Sequence, residues 1–85
     1  MIRVLVADAE TSARRRVMQF LARHADVTVV GESRNGLQAC EDIERLKPDL
    51  VFLDVEMPEL TGLQVAERIG AANMPATIFA TAYDH

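Results

Sequence analysis

The chain has 85 residues, of which 49% are hydrophobic and 26% charged, and its formal net charge is −4. This composition is typical of one small soluble globular domain and excludes a disordered segment. The negative charge argues against nucleic-acid binding by this segment, and a single cysteine, Cys40, excludes an internal disulfide or a multi-cysteine zinc site. No apolar run approaches the roughly 20 residues that span a bilayer. Met1 leads straight into a predicted strand without signal-peptide features, so we expect a cytoplasmic protein with no membrane contact.

Apolar runs alternate along the chain with segments of helical periodicity. Residues 2–7 form the first predicted strand, and apolar positions at helical spacing follow from residue 13 to His24, with Thr11 and Ser12 as candidate N-caps. A second strand is predicted over residues 27–30, where Gly31 stops it. The basic run Arg14-Arg15-Arg16 has two interpretations: the solvated flank of the first helix, which we favour, or a phosphate-binding patch.

The second half of the chain repeats this alternation. A helix is predicted over residues 36–46, ended by Pro48, with Cys40 as a packed core thiol, and a third strand over residues 50–53. A loop over residues 55–61 leads to the N-cap Thr61 of a third helix. The predicted buried positions of that helix are Leu63, Ala66 and Ile69, and the pattern is broken by Asn73 and Pro75 before a fourth strand over residues 77–80.

The order βαβαβαβ predicts an α/β fold with a parallel sheet and helices on both faces. Ligands of such sheets bind beyond the carboxyl ends of the strands. Asp8, Ala9 and Glu10 follow the first strand, Asp54 and Glu56 follow residue 53 of the third, and Thr81 follows the fourth. The sequence therefore brings acidic side chains from two strands, and a hydroxyl from a third, to one edge.

Carboxylates at the ends of adjacent strands suit Mg²⁺, which prefers oxygen ligands and keeps several waters. Beside such a metal, Asp54 could act as a carboxylate nucleophile toward a phosphoryl group, with Thr81 as a hydroxyl donor. Taken singly, Asp8 or Asp54 could equally be a turn former or a helix cap; together they favour the functional interpretation. We expect no catalytic residues and no enzyme, because a Ser-His pair and a nucleophile elbow are both missing from the sequence.

Three stretches of the sequence resemble the receiver domains of response regulators in two-component signalling. "VFLDVEMPELTGLQVAERI" resembles their phosphoacceptor segment, "IRVLVADAE" their acidic first strand, and "TIFATAYD" their fourth strand. The resemblance covers the whole chain, residues 1–85, and "DVEMP" with "TAYD" is most similar to receivers that precede LytTR-type DNA-binding domains. It implies a flavodoxin-like (CheY-like) three-layer sandwich with sheet order 2-1-3-4, incomplete because the family's fourth helix, fifth strand and fifth helix lie beyond His85.

The resemblance also implies roles for individual residues. Asp54 would accept a phosphoryl group from a histidine kinase, Asp8 would belong to the acidic metal pocket, and Glu56 would offer its backbone carbonyl to Mg²⁺. Thr81 would be the switch hydroxyl, and Tyr83 would flank the site. The domain would then control an effector, as in transcription regulation.

Two departures from the family pattern bear on function. The family's direct metal ligand stands where this chain has Ala9, and Glu10 does not obviously replace it, so we expect Mg²⁺ binding to be weakened or lost. The family's pocket lysine, on the fifth strand, lies beyond His85. A second hypothesis therefore stands beside the phosphorylated switch: a degenerate receiver that acts as a phosphorylation-independent dimerisation module. An open fourth-strand edge also predicts self-association.

Overall fold

The computed structural model describes residues 1–80 of the chain. Seven elements alternate along it in this order: β1 (Ile2–Ala7), α1 (Thr11–Leu21), β2 (Val27–Ser33), α2 (Gly36–Leu46), β3 (Leu50–Asp54), α3 (Gly62–Ile69) and β4 (Ala76–Ala80). The four strands form one parallel sheet in the order β2-β1-β3-β4. This confirms the predicted flavodoxin-like fold and its strand order. In the described part of the chain, no helix is long and apolar enough to cross a membrane.

Alternate residues of the two central strands supply the two faces of the sheet, because side chains alternate across a strand. Leu5 and Leu53, both fully buried, face α2 and α3. Val4 lies on the opposite face of the sheet and packs against Leu21 of α1. The free thiol of Cys40 is buried in the cluster on the α2 and α3 face, as predicted. Helices on both faces complete the three-layer arrangement.

The second strand is longer than the sequence predicts, because Gly31 continues it instead of ending it. Gly31 pairs with Leu5 after a register shift in β1, and β2 runs on to Ser33. A Cβ atom at position 31 would lie 2.8 Å from Cδ1 of Leu46 and 3.3 Å from Cδ1 of Leu5. The glycine therefore makes room for core side chains, which is a common reason for glycine inside a strand. This extension matters because Glu32 and Ser33 now belong to the sheet.

The first helix begins at Thr11, itself a predicted N-cap, and ends before the last residue of its predicted apolar pattern. Glu10 is at the N-cap position without a side-chain capping bond, so Thr11 and Ser12 lie within the first turn and their prediction as caps was wrong. The helix ends at Leu21, three residues before His24. The ring of His24 contacts Phe20 edge-on, with ring centroids 5.4 Å apart.

The third helix begins as predicted, and of its predicted buried positions Ala66 and Ile69 are half-buried but Leu63 is not. Thr61 and Gln64 form a reciprocal capping box. Leu63, predicted to be buried, is 56% exposed, whereas Val65 is fully buried in the core. The helix ends at Ile69, before the predicted breakers, because Gly70 takes a φ of 88° that favours glycine.

Candidate functional site

Asp8 and Asp54 lie side by side at the carboxyl edge of the sheet. The pairing of Ala7 with Leu53 in the β1–β3 ladder brings the next residue of each segment to the same level. Oδ1 of Asp8 accepts a hydrogen bond from the backbone N–H of Glu10 at 2.9 Å, and Oδ1 of Asp54 accepts one from Glu56 at 3.1 Å. Each aspartate thus fixes its own following turn, and the pair also forms a local concentration of negative charge.

The environment of Asp54 raises the pKa of its carboxyl above the ordinary value. Burial is the main cause, since it penalises the charged form, and the backbone N–H of Glu56 opposes it by stabilising that form. The nearby carboxyl group of Asp8 and the negative charge of Glu56 raise the pKa further. The two aspartates are therefore close enough to interact electrostatically, as expected for two acids that could bind the same cation.

The side chains of the other predicted site residues are exposed or lie outside the described residues. Ala9, Glu10 and Glu56 are exposed. Within residues 1–80, no three or more histidine, cysteine, aspartate or glutamate side chains are grouped so that they could hold a metal ion. Thr81 and Tyr83 lie outside the described residues. Ala80, which pairs with Asp54 in the β3–β4 ladder, is the last described residue before them.

The loop after Asp54 is held against the core by close backbone contacts. The N–H of Gly62 donates to the carbonyl of Val55 at 2.8 Å, and Met57 is buried in the core cluster on the α2 and α3 face. A Cβ atom on Gly62 would lie 2.5 Å from the carbonyl oxygen of Asp54. Glycine at this position therefore allows α3 to begin directly against the backbone of Asp54.

Arg14 is buried, which contradicts the prediction that the basic run is simply a solvated flank of α1. Its side chain is 7% exposed and bonds to Glu32, with Nε 3.0 Å from Oε1. Arg15 and Arg16 are exposed, as expected. Arg14 is three residues before Val17 and seven before Leu21, both inward-facing, so helical periodicity already places it on the inner face.

The sequence did not predict a second buried polar pair, formed by Ser33 and Asp42. The hydroxyl of Ser33 donates to Oδ2 of Asp42 at 2.8 Å, and Arg45 donates to Oδ1 at 2.9 Å. Ser33 is fully buried and Asp42 is 6% exposed. Asp42 lies among the buried positions of α2, between Ala39 and Ile43, and an acid at such a position requires a partner. The sequence holds that signal, but the partner on β2 is visible only in the fold.

The residues at the acidic edge offer a small divalent cation only a few oxygen ligands. Mg²⁺ usually retains several waters and binds through one or two carboxylates, and Asp8 with Asp54 supplies two. Position 9, between the two acids of the β1–α1 loop, contributes only a methyl group. The donor set therefore suits a magnesium site with few protein ligands.

Comparison with known proteins identifies the family of this fold and site. Residues 4–85 match the response regulator receiver domain family. An uncharacterized response regulatory protein of Yersinia pestis is 40% identical over 84 residues, which is 99% of this chain and 35% of that protein. The transcriptional regulatory protein BtsR of Escherichia coli K12 is 36% identical over the same length, again 35% of that protein. The chain thus spans about a third of the length of these relatives.

Solved structures agree with the sequence comparison. The response regulator domain of Thermotoga maritima CheB superposes with a TM-score of 0.87 at 34% identity, covering 95% of this chain and 60% of that one. The signal receiver domain of the putative response regulator NarL from Mycobacterium tuberculosis gives a TM-score of 0.88 at 34% identity, covering 99% and 68%.

Proposed function

Because the chain belongs to the response regulator receiver domain family, we propose that it accepts a phosphoryl group on Asp54 from a sensor histidine kinase. The observation that supports this most directly is the placement of Asp54 beside Asp8 at the carboxyl edge of β3, where ligands of such sheets bind. Receiver domains are typically signalling components and not enzymes, so the phosphorylated state would act by controlling an effector.

The proposed reaction transfers the phosphoryl group between two side chains. An oxygen of the ionised Asp54 carboxylate forms a bond to phosphorus, the phosphorus–nitrogen bond of the kinase phosphohistidine breaks, and the imidazole leaves with the bonding electron pair. The backbone N–H of Glu56 holds one oxygen of Asp54 in place at 3.1 Å. Thr81 would then bind the phosphoryl oxygens and Tyr83 would flank them.

Receiver domains bind Mg²⁺ for phosphorylation, and a cation here would supply neutralisation of the phosphoryl charge. Asp8, Asp54 and the backbone carbonyl of Glu56 would hold it, with Glu10 at most a weak contributor. We propose that Ala9 lowers the affinity for Mg²⁺ relative to a chain with an acid there, because one anionic ligand fewer remains.

The remaining partners are proposed from the family and the relatives. Transcription control is supported by the relative named as a transcriptional regulatory protein. A LytTR-type DNA-binding domain as effector stays a prediction from the "DVEMP" and "TAYD" motifs. We expect the protein to act in the cytoplasm, without direct nucleic-acid binding by this segment.

Ala9 favours a second candidate function, in which the receiver acts without phosphorylation as an interaction or dimerisation module. One assay separates the two functions. The purified protein is incubated with Mg²⁺ and acetyl phosphate or beryllofluoride, and the Asp54→Ala variant is the control. An adduct that the control lacks would establish the phosphorylated switch. No adduct would contradict the switch and favour the interaction module. If no adduct forms, Ala9→Asp asks whether that single substitution restores it.

We also propose self-association through the edge of the sheet that β4 forms. In the described part of the chain, β4 pairs only with β3. Ile78 and Phe79 on this strand are 44% and 45% exposed, and exposed apolar edges pair with other chains. Sedimentation at micromolar concentration tests this: we expect dimers that the Ile78→Lys variant abolishes. A stable, folded monomer of the unsubstituted protein at that concentration would contradict the proposal.

A further inference from the structure

A buried arginine connects the first helix to the backbone that carries Asp8. Arg14 makes three side-chain hydrogen bonds: Nε donates to Oε1 of Glu32 at 3.0 Å, Nη1 to the carbonyl of Asp8 at 2.7 Å and Nη2 to Oγ1 of Thr11 at 3.2 Å. The side chain of Arg14 is 7% exposed and that of Glu32 is 43% exposed. The guanidinium is therefore held in one orientation by Glu32 on β2, by the carbonyl of Asp8 and by Thr11 on α1.

Two hydrogen bonds, one of them from Arg14, hold the two peptide groups that flank the Cα atom of Asp8. The N–H of Asp8 donates to the carbonyl of Ser33 on β2 at 3.0 Å, and its carbonyl accepts the bond from Arg14. Because both flanking peptides are held, the backbone dihedral angles of Asp8 are determined. The carboxylate is then restricted further by its bond from the N–H of Glu10.

Helix packing alone does not require an arginine at this position. The neighbours of Arg14 on the inner face of α1 are Val17, Met18 and Leu21, which pack against β1 and β2. An apolar side chain could continue that face, and apolar replacement of a buried ion pair is often neutral or stabilising. An arginine with a fixed, planar set of donors is better suited to holding several groups at once.

We propose that Arg14, oriented by Glu32, is a positioning residue that holds Asp8 at the acidic edge beside Asp54. This inference deepens the proposed function and rests on it. Arg14 touches neither the phosphoryl group nor a metal; it acts through the backbone of Asp8. Glu32 supplies the countercharge that keeps the guanidinium directed at the Asp8 carbonyl.

Three substitutions separate positioning from stability. Arg14→Leu continues the apolar face and removes the one side-chain bond to the Asp8 carbonyl, together with the bonds to Glu32 and Thr11. Arg14→Lys keeps the charge but provides a single donor centre in place of the planar set. Arg15→Leu is the matched control, because Arg15 is exposed on the same helix.

The first measurement is amide hydrogen exchange of Asp8, compared with Leu5 in the same segment, whose amide reports the stability of the core. The N–H of Asp8 keeps its acceptor, the carbonyl of Ser33, in every variant, so faster exchange of this amide reports loosening of the Asp8 backbone. Loss of the charge-assisted bond to the Asp8 carbonyl predicts exchange roughly 10- to 100-fold faster in Arg14→Leu. We expect the exchange of Leu5 to follow global stability alone. Arg14→Lys should lie between Arg14→Leu and the unsubstituted protein, and Arg15→Leu should match the latter.

The second measurement is the affinity for beryllofluoride with Mg²⁺. We expect Arg14→Leu to bind about tenfold more weakly or worse, because displacement of a positioned group is costly. An unchanged ratio of Asp8 to Leu5 exchange would overturn the inference, as would a loosened Asp8 with unchanged affinity. If the unsubstituted protein binds no beryllofluoride, the proposed function fails, and the exchange ratio alone decides whether Arg14 fixes Asp8.

Discussion

Substitution of Gly62 by alanine tests how closely the third helix is coupled to the phosphoacceptor. Gly62 is the first residue of α3, and a Cβ atom there would lie 2.5 Å from the carbonyl oxygen of Asp54 and 3.1 Å from its carbonyl carbon. Ordinary van der Waals contact begins at 3.4 Å, so the two backbone segments must separate by 0.9 Å, the difference between 3.4 and 2.5 Å. Neither partner is a flexible side chain that could simply rotate away.

The expected cost follows from two opposing effects. Overpacking of this kind typically costs about 1–3 kcal/mol. Alanine is favoured over glycine by about 1 kcal/mol in a helix interior, and less at a first position. We therefore expect Gly62→Ala to lower the free energy of unfolding by about 1–2 kcal/mol. A displacement near 1 Å can slow a positioned reaction by about 100-fold, so phosphorylation by acetyl phosphate should fall by that order.

Urea unfolding followed by circular dichroism measures the first effect, and the amide chemical shift of Asp54 reports the displacement without any phosphoryl donor. Gly31→Ala is the control, because its Cβ atom would meet the ends of the flexible Leu46 and Leu5 side chains. That variant should leave the Asp54 resonance unchanged. The reasoning is refuted if Gly62→Ala unfolds like the unsubstituted protein, or if both variants shift Asp54 equally.

Three further predictions concern the core, the buried polar pair and the pKa of Asp54. Val65→Ala should lower the free energy of unfolding by about 2 kcal/mol, and Leu63→Ala should change it by less than about 0.5 kcal/mol; equal losses in urea unfolding would contradict the observed burial. Asp42→Ala should cost about 1–3 kcal/mol because the Ser33 hydroxyl loses its partner, and a double-mutant cycle with Ser33→Ala should show coupling; additive losses would exclude it. Asp54→Asn should stabilise the protein at pH 7. Folding raises the pKa of Asp54, so its contribution to stability is fully present below the unfolded pKa of about 3.9 and is lost as the pH rises through the folded value. The advantage of asparagine should therefore shrink toward pH 3 in urea titrations, and an advantage independent of pH would show that the charge is not its cause.

The sequence predicts the strands well, for a local reason. Residues 2–7 and 50–53 are short apolar runs bounded by polar residues, and a strand buried on both faces needs just that pattern. The structure confirms both runs as the central strands β1 and β3. Because the ends of adjacent parallel strands must coincide, the meeting of Asp8 with Asp54 follows from the same pattern.

Two of the errors lie where the packing partner of a residue is distant in the chain. Gly31 reads locally as a strand stop, and only the packing of Leu46 against it shows why the strand continues. Leu63 reads as a core residue by its apolarity, but the orientation of α3 against the sheet buries Val65 instead. A local pattern gives the period of a helix; the face that is buried depends on the neighbouring elements.

The sequence by itself determined the α/β alternation and the acidic residues at the strand ends, because these depend on short-range periodicity. It indicated the sheet order only through the family resemblance. Only the tertiary structure decided that Arg14 pairs with Glu32 and is directed at the Asp8 carbonyl, since Glu32 is 18 residues away on β2. The same holds for Ser33 and Asp42, which belong to different elements. A buried polar group can be tolerated only where the fold supplies its partner, and that partner is a property of three-dimensional packing.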